Sequence, residues 1–230
     1  MIGIIGAMRV EVEDLIGIMA DETTEAVSGI TYHIGTISGV ECVVAQCGVG
    51  KVAAAVCAQT MILKYQPDAL INVGVAGGIG ENIRIGDIVI SRGLVQHDMN
   101  TSAIGDEKGL ISGLNLITIP ASEKLVDLVA SLSDEIFGQG VHTGIIATGD
   151  QFICDREKLQ AIAGDFGASA CEMEGASIAQ VCYINKVDFV VIRSISDNAD
   201  EEASVDFNAF AVASAHKLTE LIRKLLPHIQ

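Results

Sequence analysis

Short runs of aliphatic residues, apolar at consecutive rather than alternate positions, recur along this chain with helical segments between them. Residues 1–7, 69–75, 141–147, 168–172 and 187–195 have this character, and 87–91 continue it. A strand apolar on both faces needs cover on both faces, which points to an α/β layered fold with a largely parallel central sheet. The intervening helices are expected over 9–20, 49–65, 122–136, 154–163, 175–185 and 207–226. In the first, apolar residues fall at 12, 15, 16 and 19, the spacing of one helix face. Pro67 and Pro227 stop the second and the last. Residues 30–37 and 40–46 read as a hairpin across Ser38-Gly39. No repeat, linker or low-complexity stretch divides the chain, so residues 1–230 are read as one domain.

Composition narrows the function. The chain is 50% hydrophobic and 19% charged, enough apolar material for a large core, and the near absence of aromatics (4%, no Trp) makes that core aliphatic. A net charge of −16 with 14 Lys and Arg excludes a backbone-reading nucleic-acid protein and argues against an anionic membrane as partner. No apolar run reaches the roughly 18 residues of a membrane span, and the N-terminus has no basic leader, so a soluble cytoplasmic protein is expected. Cys42, Cys47, Cys57, Cys154, Cys171 and Cys182 form no CxxC pair and read as thiols of a reducing compartment, and the five scattered histidines form no metal motif.

In sheets of this kind ligands gather at the carboxyl ends of strands. Polar or glycine-rich switches at 8–13, 47–51, 75–80 and 193–200 follow strands here. Cys47-Gly-Val-Gly-Lys51 is not a Walker A loop, because Ala45 replaces the first glycine and Val52 the magnesium-binding hydroxyl. Gly48 to Ala53 does match GxGxxA, with Asp68 downstream, so a non-catalytic Rossmann-type nucleotide-binding module stays open. Glu11 and Glu13 open the first helix, and Glu13 is read as solvated. Glu172 and Glu174 share a face in extended chain with Met173 on the other, and Glu174 is either a helix cap or a site carboxylate. Asp197 is either an Asx-turn residue or a site acid. Residues 97–118 are too long and polar for an idle connection.

Taken together, GIIGAM with Glu11, GVGKVAAA, GVAGG, TGDQFI, EMEGASIAQVC and RSISDNAD, in this order and spacing, closely resemble the bacterial 5′-methylthioadenosine/S-adenosylhomocysteine nucleosidases of the nucleoside phosphorylase superfamily. The resemblance covers essentially the whole chain. It implies a twisted, mixed, partly closed central sheet flanked by helices, and a homodimer with its site near the interface. It implies hydrolysis of the N9–C1′ bond of a 5′-thio-substituted adenosine, without cofactor or metal. By the same resemblance Asp197 is the acid that protonates adenine N7, oriented by Ser196. Glu11 activates water, with Arg193 assisting, and Glu174 holds the ribose hydroxyls. Phe152 stacks on the purine, the Ile153 backbone reads its edge, and Met8, Val49, Met173 and Phe207 pack around the ribose and alkylthio group.

The chemistry suits these residue types. Protonated at N7, adenine leaves neutral, and the ribose becomes oxocarbenium-like, a charge that nearby carboxylates stabilise. Asp197 is expected to hold its proton, with Glu11 and Glu174 ionised. Two departures stand out: Val75 replaces a serine common in the family, and Asp106 stands where some relatives have bulkier groups. Rival readings are a phosphorylase on the same fold, a hydrolase of aminodeoxyfutalosine, and the binding module above. In an unbroken strand, Arg193 and Asp197 would project to one face, their separation being even.

Overall fold

The computed structural model describes residues 1–80, 82–197 and 203–229, with the side chains of 203–209 excepted. Ten strands and six α-helices are found among them, in the order β1 (Ile2–Gly6), α1 (Arg9–Gly17), β2 (Ala20–Val27), β3 (Ile30–Ile37), β4 (Val40–Gln46), α2 (Lys51–Tyr65), β5 (Ala69–Gly78), β6 (Ile88–Gln96), β7 (Ile119–Pro120), α3 (Glu123–Phe137), β8 (Val141–Thr148), α4 (Arg156–Phe166), β9 (Ala168–Glu172), α5 (Gly175–Asn185), β10 (Asp188–Asp197) and α6 (Ala203–Leu225). Both strand directions occur in the sheet. Pairs β1–β4, β1–β5, β5–β10, β6–β8 and β8–β9 are parallel. Pairs β2–β3, β3–β4, β5–β9, β6–β7 and β6–β10 are antiparallel. Because β5 and β10 pair with each other, β5, β10, β6, β8 and β9 close on themselves, and β1, β4, β3 and β2 extend from that ring as an open wing. The twisted, partly closed mixed sheet is thus present.

Both faces of the sheet are covered, as the doubly apolar strands require. On one side α2 and α5 contribute Ala54, Cys57, Met61, Ala176, Ile178 and Cys182 to an aliphatic cluster with Ile5 and Val191. On the other, α1, α3 and α6 bring Val12, Leu15, Val126, Val129, Leu221 and Ile222 onto Ile4, Ile71 and Ile192. Five of the cysteines are buried and Cys154 is exposed, all of them free.

Several elements differ from the sequence reading for identifiable reasons. Helix α1 ends at Gly17, and β2, absent from the pattern, follows it. Its sequence ADETTEAV is exposed along nearly its whole length, so no apolar alternation announces it. What forms it is the turn: Ser28 (φ 53°) and Gly29 (φ 77°) both take the left-handed conformation of a tight hairpin. Ser38 (φ 51°) and Gly39 (φ 80°) repeat the device between β3 and β4. The sheet's β6 runs on to Gln96 past a register shift between Ser91 and Gly93.

Where β5 changes neighbours, the sheet forks. Along one edge it pairs with β10 from Ala69 to Gly77. Along the other it pairs with β1 as far as Asn72, then with β9 from Gly77. At the fork, Asn72 is buried; its Nδ2 donates to the Ile5 carbonyl (2.8 Å) and its Oδ1 accepts from Arg193 Nη2 (2.6 Å). Losing it leaves a buried carbonyl and a buried guanidinium each short of a partner. Asn72→Ala is expected to lower stability by roughly 2–4 kcal/mol in urea denaturation, the cost of unpaired buried polar groups.

Candidate active site

Buried backbone amides must find acceptors, and β5 has no strand beside it between Asn72 and Gly77 on the β1/β9 edge. The Val75 amide there donates to Glu11 Oε1 (3.1 Å). Glu11, in the first turn of α1, folds back so that Oε2 accepts from the amides of Ala7 (2.7 Å) and Met8 (2.9 Å). The carboxylate therefore bridges the end of β1 and the gap in β5. Burial pushes its pKa up, opposed by Arg193 and by the amides of Met8, Val75 and Ala7. A glycine must stand at 74: a Cβ there would lie 2.6 Å from Glu11 Oε1 and 3.2 Å from Arg193 Nη1.

Arg193 is the largest fully buried side chain, 1% exposed. It lies beneath the cavity and does not line it. Its Nη2 is hydrogen-bonded to Glu172 Oε2 and Asn72 Oδ1, and Glu174 Oε2 is 4.0 Å away. Glu172 is also the cap of α5: Oε2 accepts from the amides of Glu174 (3.1 Å) and Gly175 (2.7 Å). Thr148 donates its hydroxyl to Glu172 Oε1 and accepts from the Ala176 amide (2.8 Å). The capping role open to Glu174 in the sequence belongs to Glu172, two residues earlier. That frees the Glu174 side chain, whose Oε1 accepts from the Gly50 amide (2.9 Å). Burial first, then the neighbouring Glu172, push the Glu174 pKa up to about 7, against the pull of Arg193. For both Glu11 and Glu174 burial outweighs the cation, so each ionises less readily than an ordinary glutamate.

The end of β10 is shaped by a bulge. Ile195 is in register with Ala76 and Asp197 with Gly77, leaving Ser196 as the extra residue. The even spacing of Arg193 and Asp197 is thereby cancelled. Arg193 is in register with Gly74, three positions before Gly77, so the two side chains leave the sheet in different directions. Asp197, which ends β10 as part of the strand, lines the cavity. Ser196, also in the lining, donates to Asp197 Oδ2 (2.8 Å). Asn198 and Asp200 of the same motif lie outside the described residues.

The cavity measures about 390 Å³. It brings together Met8, Glu11, Val49, Phe152, Met173, Glu174, Ser196 and Asp197, along with Val75, Cys171 and Glu172. Ile153 lines a small adjoining hollow with Phe152, Met173 and Asp197. Phe152 is half exposed at the rim. The Phe207 side chain lies outside the described residues. Cys171 is no nucleophile here: burial and the charges of Glu172 and Asp197 push its thiol up to about 12. A larger hollow of about 700 Å³ beside α1 is lined by Arg9, Glu13 and His33 and holds none of the buried carboxylates. Glu13 is solvated and paired with Arg9, as its sequence position suggests.

The GxGxxA loop has a different use from dinucleotide binding. A pyrophosphate would need the amides that open α2, but Gly50 gives its amide to Glu174 and Lys51 gives its own to Asp150 Oδ1 (2.8 Å). Sequence reasoning did not nominate Asn72, Thr148, Glu172 or the Val75 amide. An Asn inside the apolar run ALINVGV and the even spacing of Glu172 and Glu174 were the available signals.

The phosphorylase superfamily model matches residues 1–227. The 5′-methylthioadenosine/S-adenosylhomocysteine nucleosidase of Shewanella loihica is 42% identical over 229 residues, with 99% of each chain covered. A crystal structure of the nucleosidase of that name from Neisseria meningitidis, in complex with methylthio-immucillin-A, superposes with a TM-score of 0.95 at 30% identity over 99% of each chain. A futalosine hydrolase mutant of Helicobacter pylori superposes with a TM-score of 0.95 at 35% identity, again over 99% of each. This chain therefore belongs to the phosphorylase superfamily and, within it, to the 5′-methylthioadenosine/S-adenosylhomocysteine nucleosidase family.

Proposed function

We propose that the chain hydrolyses the N-glycosidic bond of 5′-methylthioadenosine and S-adenosylhomocysteine, releasing adenine and a thioribose, as a cytoplasmic homodimer in methionine salvage. The observation that carries this is the meeting of Glu11, Glu174 and Asp197 in one cavity above a single buried guanidinium. That guanidinium is already engaged by Glu172. A phosphate nucleophile would face three glutamates there, so water is the acceptor the electrostatics favour.

In this reading Asp197 delivers its proton to N7 of the departing adenine, held in orientation by Ser196. Glu11 is fixed at both oxygens by backbone amides and made more basic by burial, and it takes a proton from the attacking water. Glu174, anchored through one oxygen to Gly50, grips the ribose hydroxyls; positive charge growing on the ribose draws it into its ionised form. Phe152 covers the purine and the Ile153 backbone reads its edge. Met8, Val49 and Met173, with Phe207, surround the ribose and alkylthio group. Arg193 acts from below by holding the glutamates in place.

Adenine release from 5′-methylthioadenosine is expected to proceed without phosphate, and a strict phosphate requirement would replace this reading with a phosphorylase. Asp197→Asn should bind substrate nearly as well yet turn over at least about 100-fold more slowly; near-normal turnover removes Asp197 from its role. The likeness to a futalosine hydrolase supports a second reading, aminodeoxyfutalosine hydrolysis, decided by comparing rates on the two substrates.

Glu174 also ties stability to pH. Burial first and then Glu172 push its carboxyl up to about 7 in the folded protein, above the ordinary glutamate value of 4.5, so the folded state holds a proton between those limits. Its contribution is fully present below about pH 4.5 and is lost as pH rises through 7. Glu174→Gln should flatten this fall, on the order of 2 kcal/mol, in denaturation of the ligand-free protein at pH 5 and 7.5.

Support for the dimer comes from α2 and α5, which pack together, Gln59 and Asn185 exchanging amide hydrogen bonds. Val52 and Leu63 of α2 and Tyr183 and Ile184 of α5 remain exposed. A second copy covering this face predicts twice the chain mass in sedimentation equilibrium, and Leu63→Glu with Ile184→Glu should yield monomer.

A further inference from the structure

Outside the cavity, three polar residues close a ring of hydrogen bonds, Lys51 at the start of α2 and Asp98 and Asp150 in two loops. The Lys51 amide donates to Asp150 Oδ1 (2.8 Å), the Asp150 amide donates to Asp98 Oδ2 (3.0 Å), and the Lys51 ammonium donates to Asp98 Oδ1 (2.7 Å). Both members of the Lys51–Asp98 ion pair are largely shielded, with 20% and 18% of their side chains exposed. Burial alone would raise the Asp98 pKa; the Lys51 and Asp150 hydrogen bonds bring it below its usual value. Lys51 Nζ also reaches Gln96 Oε1 (3.2 Å), and Gln96 Nε2 donates to Gln180 Oε1 on α5 (2.6 Å). None of Lys51, Asp98 and Asp150 lines the cavity.

Their neighbours do. Lys51 directly follows Gly50, whose amide holds Glu174, and Val49, a cavity wall. Asp150 lies two residues before Phe152 and three before Ile153. Asp98 lies two residues past the end of β6 at Gln96, after buried His97. The ring therefore links the loop whose Gly50 amide holds the ribose anchor, Glu174, to the loop that carries the purine wall, and ties both to the end of β6. Gly50 is part of the fit: its φ is 99°, and a Cβ there would lie 3.0 Å from Asp150 Oδ1.

We propose that Lys51 and Asp98 are positioning residues that set the width of the purine subsite by clamping the Phe152 loop to the Gly50 loop. The inference rests on the nucleosidase reading above and adds residues that touch no substrate. Stacking on Phe152 and edge contacts to the Ile153 backbone are made alike in substrate and transition state, unlike the proton transfer to N7, so loosening the clamp costs mainly uniform binding and leaves the chemical step nearly unchanged.

The test uses Lys51→Met, Asp98→Asn and the double variant of the full chain. Asparagine has one acceptor oxygen where the ring needs two, so Asp98→Asn opens it with almost no change in volume. Each single variant should raise KM for 5′-methylthioadenosine and the calorimetric Kd for free adenine by about 10-fold, with kcat held within about 3-fold. The double variant should be no worse than the worse single one, because one linkage is lost in each case. Amide hydrogen exchange across residues 148–153 should quicken in all three. Unchanged KM and Kd alongside a lowered unfolding midpoint would make the ring merely structural and overturn the proposal, as would effects that add in the double variant. If the unaltered protein releases no adenine from any of the nucleosides, the nucleosidase reading is what fails. Unchanged exchange across 148–153 in the variants then still overturns the clamp, and quickened exchange supports it.

Discussion

Everything around the cavity depends on one buried guanidinium. Arg193 sits at 1% exposure with Glu172 bonded to it, Glu174 at 4.0 Å and the Glu11 charge close enough to feel it. An arginine cannot discard its proton, so the cation is permanent and must be matched. One glutamate would match it. Three overmatch it, and burial first, with the neighbouring Glu172 charge adding to it, drives Glu174 toward neutrality in the ligand-free protein. The cluster is therefore short of positive charge until a ligand supplies some. In the proposed reaction, a ribose acquiring oxocarbenium character would supply it at the moment of bond breaking. Electrostatic catalysis of this kind needs charges fixed before the reaction, and here the fixing is done by backbone amides on Glu11, by Gly50 on Glu174 and by Asn72 on Arg193.

The sheet makes room for this cluster by failing to stay regular. Were β1 to continue alongside β5 past Asn72, the Val75 amide would be taken by a strand and Glu11 would have no socket. Were β10 to run without its bulge, Asp197 would follow Arg193 out of the same face and its carboxyl would be placed with the buried cation. The fork and the bulge lie on opposite edges of the same strand, β5. Each costs ladder hydrogen bonds, and each cost is offset locally: at the fork the Glu11 carboxylate accepts from the Val75 amide, and at the bulge the Ser196 hydroxyl reaches the Ala76 carbonyl (3.5 Å).

What could be read from the residues divides along the same line. Elements set by local patterns were legible: the doubly apolar strands, the Ser38-Gly39 hairpin, and α5 after EMEG. So was the grouping of Glu11, Glu174 and Asp197, because their motifs occur in one order. Features set by register were not. Whether Glu172 or Glu174 caps α5 turns on two residues of geometry, and the spacing of Arg193 and Asp197 reads as even until pairing with β5 inserts a bulge. The exposed edge strand β2 was silent because it buries nothing. Asn72 spoke weakly, as one polar residue in an apolar run, and its meaning required β1, β5 and β10 to be adjacent.

The same reasoning explains why a glycine-rich loop that fits a dinucleotide pattern serves another purpose here. Glycines at 48 and 50, with φ of 87° and 99°, let the chain turn sharply and present amides at the start of α2. Such a helix start attracts negative charge of any origin. In a dinucleotide site that charge arrives with the ligand. Here it is built in, as Glu174 and Asp150, so the loop organises the protein's own carboxylates. A motif reports what a backbone can offer; which partner accepts the offer is decided by the strands that converge on it.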